Sequence, residues 1–282
     1  MTVSALVLGG GGVTGIAWEL GVLKGLRDAG VDLACAADLV VGTSAGSVVG
    51  AQLTTGLDLD ELVDRQRSPA AAATERASGA EPERLVAAFS AIMLAARDPR
   101  DLRIRIGTMA LGAETISEAE RLEVIKARLP VREWPARRLL ITGVDALTGV
   151  PVAWDREAGV PLVLAVAASC AVPGVWPPVT IAGRRYMDGG IASPTNAHLA
   201  AGSDAVVVLA PIVVGFGGSL DEELKGLGPD ARVAVVSPDA AAQEAIGPDV
   251  LDPSRRPAAA EAGLAQGAAT ADEIRAVWPA PP

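Results

Sequence analysis

A serine stands between two glycines at the end of an apolar run, in Leu39-Val40-Val41-Gly42-Thr43-Ser44-Ala45-Gly46. Gly-x-Ser-x-Gly in this setting predicts a strand, a sharp turn and a helix, with the serine on the turn and its Oγ pushed out of the sheet. Gly42 and Gly46 lack a Cβ, so the two elements can approach closely there. The helix that follows would aim its free N–H groups and positive end at the hydroxyl's surroundings. A hydroxyl held in this way is a nucleophile if a base lies within reach. With 31 glycines in 282 residues, about 0.16 such matches arise by chance, so a plain glycine turn is the competing reading of the pattern alone.

Two residues compete for the part of the base. The chain has one histidine, His198, in Pro194-Thr195-Asn196-Ala197-His198, a helix start. It reads as a surface or packing histidine. Asp188 is the better candidate, because it ends a strand, sits among apolar segments and precedes Gly189 and Gly190, which permit tight turning. Burial would have to raise its pKa for it to act as a base near neutral pH. The plainer reading of Asp-Gly-Gly is a turn.

A second glycine cluster, Gly9 to Gly12 followed by Gly15, links the apolar run Val3–Leu8 to a helical pattern through Ile16, Leu20, Leu23 and Leu26. Gly10, Gly12 and Gly15 fit G-x-G-x-x-G, which raises a dinucleotide-binding oxidoreductase as an alternative. That use needs an acidic residue closing the second strand. Asp32 and Asp38 both come before the apolar run of that strand, which ends in the serine turn. A loop of this kind can instead aim backbone N–H groups at an oxyanion, or it can be a simple structural turn.

The elements that must position these groups alternate between β and α. Strands are predicted at Arg138–Asp145, Pro151–Trp154, Val206–Leu209 and Arg232–Val236, and a hairpin at Val179–Ile181 and Arg184–Met187 delivers Asp188. Pro161–Cys170 reads as an apolar helix, and the proline-rich 171–178 as extended. Further helices are expected at 45–55, Leu220–Leu227, Ala240–Ile246 and Ala258–Val277. Between about 57 and 135 no clear strand occurs. Helical patterns at Asp60–Gln66, Glu83–Ala96 and Glu118–Leu129, the last opened by a Ser117–Glu120 capping box, read as a helical insertion beside the sheet. It is either a packing layer or a cap whose Leu85, Phe89, Ile92 and Met93 form an apolar wall. Ser68–Ala80 reads as a mobile connection and Pro279–Pro282 as a frayed end. The expectation is an α/β protein of one domain, residues 1–282.

Half of the residues are hydrophobic but only 3% aromatic, and the formal net charge is −10. No basic run is present, so nucleic acid is not an expected partner, and the acidity disfavours unaided docking on anionic membranes. Cys35 and Cys170 fit neither a metal spacing nor a disulfide framework. No metal or other cofactor is expected. Without a signal-peptide pattern or a stretch of about 18 apolar residues, the expected location is cytoplasmic, with at most peripheral membrane contact.

Taken together, these motifs resemble the patatin-like phospholipase family of serine lipid acyl hydrolases. Gly10-Gly11-Gly12-Val13-Thr14-Gly15 is similar to its glycine-rich loop, Gly42-Thr43-Ser44-Ala45-Gly46 to its nucleophile elbow, and Asp188-Gly189-Gly190 to its Asp-Gly-Gly/Ala motif. Ala168 to Gly174, with Pro177 and Pro178, is also family-like. The resemblance spans residues 3 to about 200. It implies a three-layer α/β/α fold with a mainly parallel sheet, Ser44 as nucleophile and Asp188 as base. It further implies an oxyanion hole from the amides of Gly10, Gly11 and Gly12, with Ala45 contributing, and a lipid or small ester as substrate. Thr14 departs from the family, which commonly has Arg or Lys there. Phospholipid preference is then weakened in favour of neutral acylglycerols or small esters. A catalytically weak lipid- or partner-binding relative is the alternative.

Overall fold

A computed structural model describes residues 2–68, 82–216 and 218–278. The segment read as a mobile connection, apart from Ser68, and the proline-rich end lie outside them. Strand β1 (Ser4–Leu8) leads through the glycine loop into α1 (Gly12–Asp28), and α2 (Leu33–Ala36) precedes β2 (Leu39–Gly42). Helix α3 (Ala45–Thr54) follows, then α4 (Leu59–Arg67), α5 (Pro82–Ala95), α6 (Pro99–Gly112) and α7 (Glu118–Arg128). The chain continues with β3 (Arg138–Asp145), β4 (Pro151–Trp154), α8 (Leu162–Ser169), β5 (Val179–Ile181), β6 (Arg184–Asp188) and β7 (Ala205–Leu209). It ends with the short hairpin β8 (Val214–Gly215) and β9 (Gly218–Ser219), α9 (Leu220–Lys225), β10 (Arg232–Val236), α10 (Ala240–Ile246) and α11 (Arg256–Val277).

The main sheet runs β10-β7-β1-β2-β3-β6-β5, with β4 beside β3. Its first five strands are parallel, whereas β4, β6 and β5 pair antiparallel. Alternation along the strands divides the core between two faces. Leu6, Leu8, Val40, Val207 and Leu209 face the large core under the long helices. Ala5, Val7, Leu39, Val41, Val206 and Val208 face a thinner layer with Ala197, Ala200, Leu220 and Leu227. This is an α/β fold with a mostly parallel sheet flanked by helices.

Helices α1 and α11 cross at backbone contact: a Cβ on Gly21 would lie 2.2 Å from the Ala260 carbonyl oxygen, and one on Gly263 2.3 Å from that of Trp18. The buried Trp18 indole then donates to Gln266 Oε1 at 3.0 Å, which fixes α1, and with it the end of the glycine loop, against the rest of the core.

One exchange of partners along β3 positions the site. Residues 138–141 of β3 pair with β2, and 143–145 pair with β6. Strand β4 pairs with 141–144 and so overlaps both, which puts β2 and β6 on the same edge of β3. Strand β2 leaves that edge at Gly42, opposite Ile141, and β6 enters it with Asp188 opposite Gly143.

One expectation needs an addition and one a correction. Helix α6 lies inside the expected helical insertion, in a stretch for which no helical pattern was read. It has a start signal, because the Asp98 side chain accepts from the Asp101 amide with Pro99 next in line, but Arg100, Arg103 and Arg105 break its apolar stripe. It packs on the end of β3 through Leu102 and Ile106, against Val144, Ala146 and Met187. The stretch 171–178 is not extended throughout. It turns at Pro173–Val175, with Gly174 at φ +78°.

Candidate active site

Ser44 occupies the turn between β2 and α3 with φ 52° and ψ −113°. A non-glycine residue there stores on the order of 1–3 kcal/mol of strain, which the surroundings must hold in place. They do so from several sides. The Thr43 amide donates to the Leu8 carbonyl at 3.0 Å, and the Gly46 amide to the Gly9 carbonyl at 2.9 Å. The Ser44 amide donates to Ser169 Oγ at 2.9 Å. Its carbonyl accepts from Ser47 Oγ at 2.6 Å and from the Cys170 thiol at 3.3 Å. Gly46 is obligatory, since a Cβ there would lie 2.1 Å from the Leu8 carbonyl oxygen.

The partner exchange on β3 brings Asp188 to this turn. Ser44 Oγ donates to Asp188 Oδ2 at 2.7 Å, with both residues buried. The other carboxylate oxygen, Oδ1, accepts from the Gly190 amide at 2.8 Å. The backbone of Asp188 is tied to the Ala171 carbonyl at 3.0 Å. Burial pushes the Asp188 carboxyl up to about 7, although Ser44, the Gly190 amide and the positive charge of Arg121 act in the opposite sense.

A polar cluster that no sequence motif announced locks the two loops together. Asn196, in the left-handed region at φ 54°, donates from Nδ2 to Thr43 Oγ1 at 3.0 Å and to the Ser193 carbonyl at 2.9 Å. Thr142 Oγ1 donates to Thr43 Oγ1 at 2.9 Å. Glu223 accepts from Ser193 Oγ, from Thr195 Oγ1 at 2.7 Å and from the Ala197 amide at 2.8 Å. The sequence signal for Asn196 is slight: Asn is the side chain that tolerates a positive φ best after glycine.

The glycine loop lies against the elbow, and a Cβ on Gly10 would be 3.5 Å from that of Ser44. The Gly10 amide, expected to face an oxyanion, instead donates to the Pro194 carbonyl at 2.8 Å. It ties the loop to the Asp188 segment and is not available to a substrate. Gly11 is the N-cap of α1, while Gly12 and Ala45 are the first residues of α1 and α3, where amides have no acceptor within their own helices. Gly15 packs on the Ala45 side, a Cβ there being 3.5 Å from that of Ala45. Gly189 sits against Thr142. Thr14 is buried, with both its amide and its hydroxyl at 3.2 Å from the Val250 carbonyl. His198 is exposed in a short 3₁₀ turn, Ala197–Ala200.

Two cavities meet at Ser44. The larger, about 250 Å³, is lined by Gly11, Gly12, Asp188 and an apolar set that includes Ile191, Ile212, Val214, Phe216 and Leu251. The Phe216 ring stacks on Phe89 of α5 with centroids 4.6 Å apart, so part of the apolar wall expected from the insertion reaches this cavity through Phe216. Met93 is exposed. The smaller, about 30 Å³, is lined by Gly12, Ser44, Ala45, Arg121, Arg128, Cys170 and Trp176 among others. Among the described residues, no group of three or more His, Cys, Asp and Glu could hold a metal ion, and no helix is long and apolar enough to cross a membrane.

The curated relatives are uncharacterized NTE family proteins of Mycobacterium bovis and Mycobacterium tuberculosis. Each is 32% identical over 206 residues, 73% of this chain and 48% of the relative. The chain thus spans about half the length of the curated relatives it matches. Among solved structures, VipD from Legionella pneumophila aligns with 96% of this chain and 67% of its own, at 13% identity and a TM-score of 0.46. The type III effector protein ExoU aligns with 97% of this chain and 53% of its own, at 17% identity and a TM-score of 0.42. The family profile for patatin-like phospholipase matches residues 6–201, from the first strand through the elbow to beyond the Asp188 loop. A match over well above half of the chain is decisive, and the chain belongs to the patatin-like phospholipase family of hydrolases.

Proposed function

We propose that this chain is a serine acyl hydrolase that cleaves carboxylic esters of lipids through a Ser44–Asp188 dyad and an acyl-enzyme. The observation that carries the proposal is the 2.7 Å hydrogen bond from Ser44 Oγ to a buried carboxylate at the mouth of an apolar cavity. Asp188 takes the Ser44 proton as Oγ attacks the ester carbonyl. A carboxyl group near 7 can do this at neutral pH, whereas one at the usual carboxylate value is too weak a base. The carbonyl oxygen becomes an oxyanion, received by amides of Gly11, Gly12 and Ala45. Gly10 contributes by anchoring the loop. Collapse of the intermediate expels the alcohol, which takes the proton from Asp188, and leaves the acyl group on Ser44. Water then attacks the acyl-enzyme while Asp188 accepts its proton. The second collapse returns that proton to Ser44 and releases the fatty acid. The acyl chain lies in the cavity of about 250 Å³. No step needs His198, which is exposed.

A fluorophosphonate probe with p-nitrophenyl ester hydrolysis tests the reading. Covalent labelling and ester turnover are expected, both lost in Ser44→Ala. An unlabelled wild-type chain that still binds lipid would overturn it in favour of a binding protein.

A further inference from the structure

Helix α5 is apolar on two sides. From Leu85 to Ala95 it carries no charged residue, and Ser90 is its one polar side chain there. Its inner side, with Phe89 and Ile92, packs on the cluster at the end of β3. Its outer side meets water: Val86 is 65% exposed, Met93 53% and Leu94 90%. These three stand seven and eight residues apart, on one side of the helix. A helix face in water is ordinarily polar or charged. A second segment departs from that rule as well. Ile212, Val213 and Val214, on the way into β8, are also exposed. Of the nine large apolar side chains exposed among the described residues, these two segments hold six. Such clustering marks a contact surface, whereas single exposed apolar residues do not.

The two segments are joined to each other and to the site. Phe216, two residues beyond Val214, stacks on Phe89 with centroids 4.6 Å apart. Ile212, Val214 and Phe216 also line the cavity of about 250 Å³ that has Ser44 and Asp188 in its wall. The apolar side chains in water are thus continuous with the wall along which the acyl chain lies. A protein partner has no use for that continuity. A lipid leaving an aggregate passes from one apolar surface to the next. Charge narrows the kind of aggregate. No ionisable side chain occurs in residues 85–95 or 212–216. Just beyond the helix, Arg97 pairs with Asp101 at 3.0 Å. The whole chain carries −10, so an anionic surface repels it and finds no compensating cation on this face. A surface without net charge offers apolar burial with no such cost.

We propose that the outer side of α5 and the segment Ile212–Val214 dock on a lipid aggregate without net charge, seated so that an ester passes from it into the Ser44 cavity. The choice of a lipid as occupant rests on the acyl hydrolase reading. The helical insertion is then more than a packing layer.

Co-sedimentation with phosphatidylcholine vesicles at about 0.1 M and about 0.5 M NaCl tests this. The wild-type chain is expected to bind at both, because an apolar contact is not screened. Val86→Ser combined with Leu94→Ser should lower the partition coefficient about tenfold or more, and leave kcat/KM for soluble p-nitrophenyl butyrate unchanged. Both side chains are exposed, so the core is untouched, and Leu94→Phe should keep vesicle binding. No binding by the wild type, or equal binding by the double variant, overturns the proposal. Binding that requires phosphatidylglycerol and disappears at the higher salt also overturns it, since the contact would then lie on basic groups. A wild-type dimer that the double substitution turns into a monomer, without vesicle binding, would mean that a second copy covers the face, and overturns it too. Failure of the hydrolase reading looks different: vesicle binding that the double substitution weakens, with no fluorophosphonate labelling and no ester turnover. That result would uphold the docking surface and remove the dyad mechanism.

Discussion

Ser44 Oγ and Asp188 Oδ2 are 2.7 Å apart although 144 positions separate them in the chain, and the contact exists because β2 and β6 use successive stretches of one edge of β3. Side chains delivered by sheet register hold their geometry better than side chains on free loops. In the proposed mechanism Asp188→Asn keeps the shape of the site and removes the base, so kcat for a p-nitrophenyl ester should fall by about 10³-fold or more. Ser44→Ala should cost about 10⁴-fold or more. His198→Ala should leave turnover unchanged, because the ring is at the surface. Steady-state kinetics of the three variants checks this, and a large loss in His198→Ala would disprove the dyad.

The raised Asp188 carboxyl gives the reaction a pH signature. Only the unprotonated form accepts the Ser44 proton. With the carboxyl near 7, kcat/KM should fall about tenfold per pH unit below that value and level off above it. A flat profile from about pH 5 to 8 would mean that the carboxylate is not raised, or not the base. The same displacement acts on stability with the opposite sense. The unfolded carboxyl titrates near 4, so between about 4 and 7 the folded state binds the extra proton, and stability declines as pH rises through that range. Asp188→Asn should therefore gain stability over the wild type as pH is raised, by at most about 4 kcal/mol above pH 8.

Gly46 is the least replaceable residue of the elbow. A methyl group there would meet the Leu8 carbonyl at 2.1 Å, and both belong to backbone that cannot swing aside. Gly46→Ala should lose at least about 1–3 kcal/mol and move Ser44 off Asp188. Urea denaturation together with fluorophosphonate labelling measures both effects. A variant as stable and as reactive as the wild type would show that β1 and α3 are less closely apposed.

The parts of the site that the chain announces are those set by local backbone demands. Gly42 and Gly46 mark a sharp turn after an apolar run, and Gly189 and Gly190 one after a hairpin strand, so a candidate nucleophile and a candidate base could be named from short motifs. The Gly10 amide could not be assigned in the same way. Its acceptor is the Pro194 carbonyl, and nothing in the glycine loop says which of its amides another segment will claim. Helix α7 was legible as a helix because its capping box is local, but amphipathic spacing does not reveal what lies across from a face. Nothing in the sequence therefore singled out Arg121 and Arg128, which line the smaller cavity beside Ser44. The handover from β2 to β6 on β3 is a matter of long-range register, fixed by pairing that no periodicity encodes.

Asn196 is expected to be the polar side chain on which the site's shape depends most. It joins Thr43, beside Ser44, to Ser193, in the loop that follows Asp188. Asn196→Ala leaves buried acceptors without their donor, at about 1–3 kcal/mol, and puts alanine into a left-handed backbone at about 1–2 kcal/mol more. A loss of about 2–5 kcal/mol in urea denaturation is expected, with lower kcat. An unchanged denaturation midpoint would show that the two loops hold each other without it.

Glu19 should make the protein less stable in alkali. It is fully buried on α1, and burial pushes its pKa well above the ordinary value, with the Gly9 backbone opposing only in part. An unfolded glutamate titrates near 4.3. Between that value and the raised folded one, the native state holds a proton that the unfolded chain has released. Stability is thus complete below about pH 4 as far as this group is concerned, and it is lost as pH rises through the folded pKa. Glu19→Gln has the same shape and no charge to bury. Its stability relative to the wild type should be lowest below about pH 4 and grow as pH rises above the unfolded value, until the folded carboxyl also ionises, read from urea midpoints across the pH range. A difference that stays constant with pH would mean that Glu19 is ionised in the native state and finds a partner there.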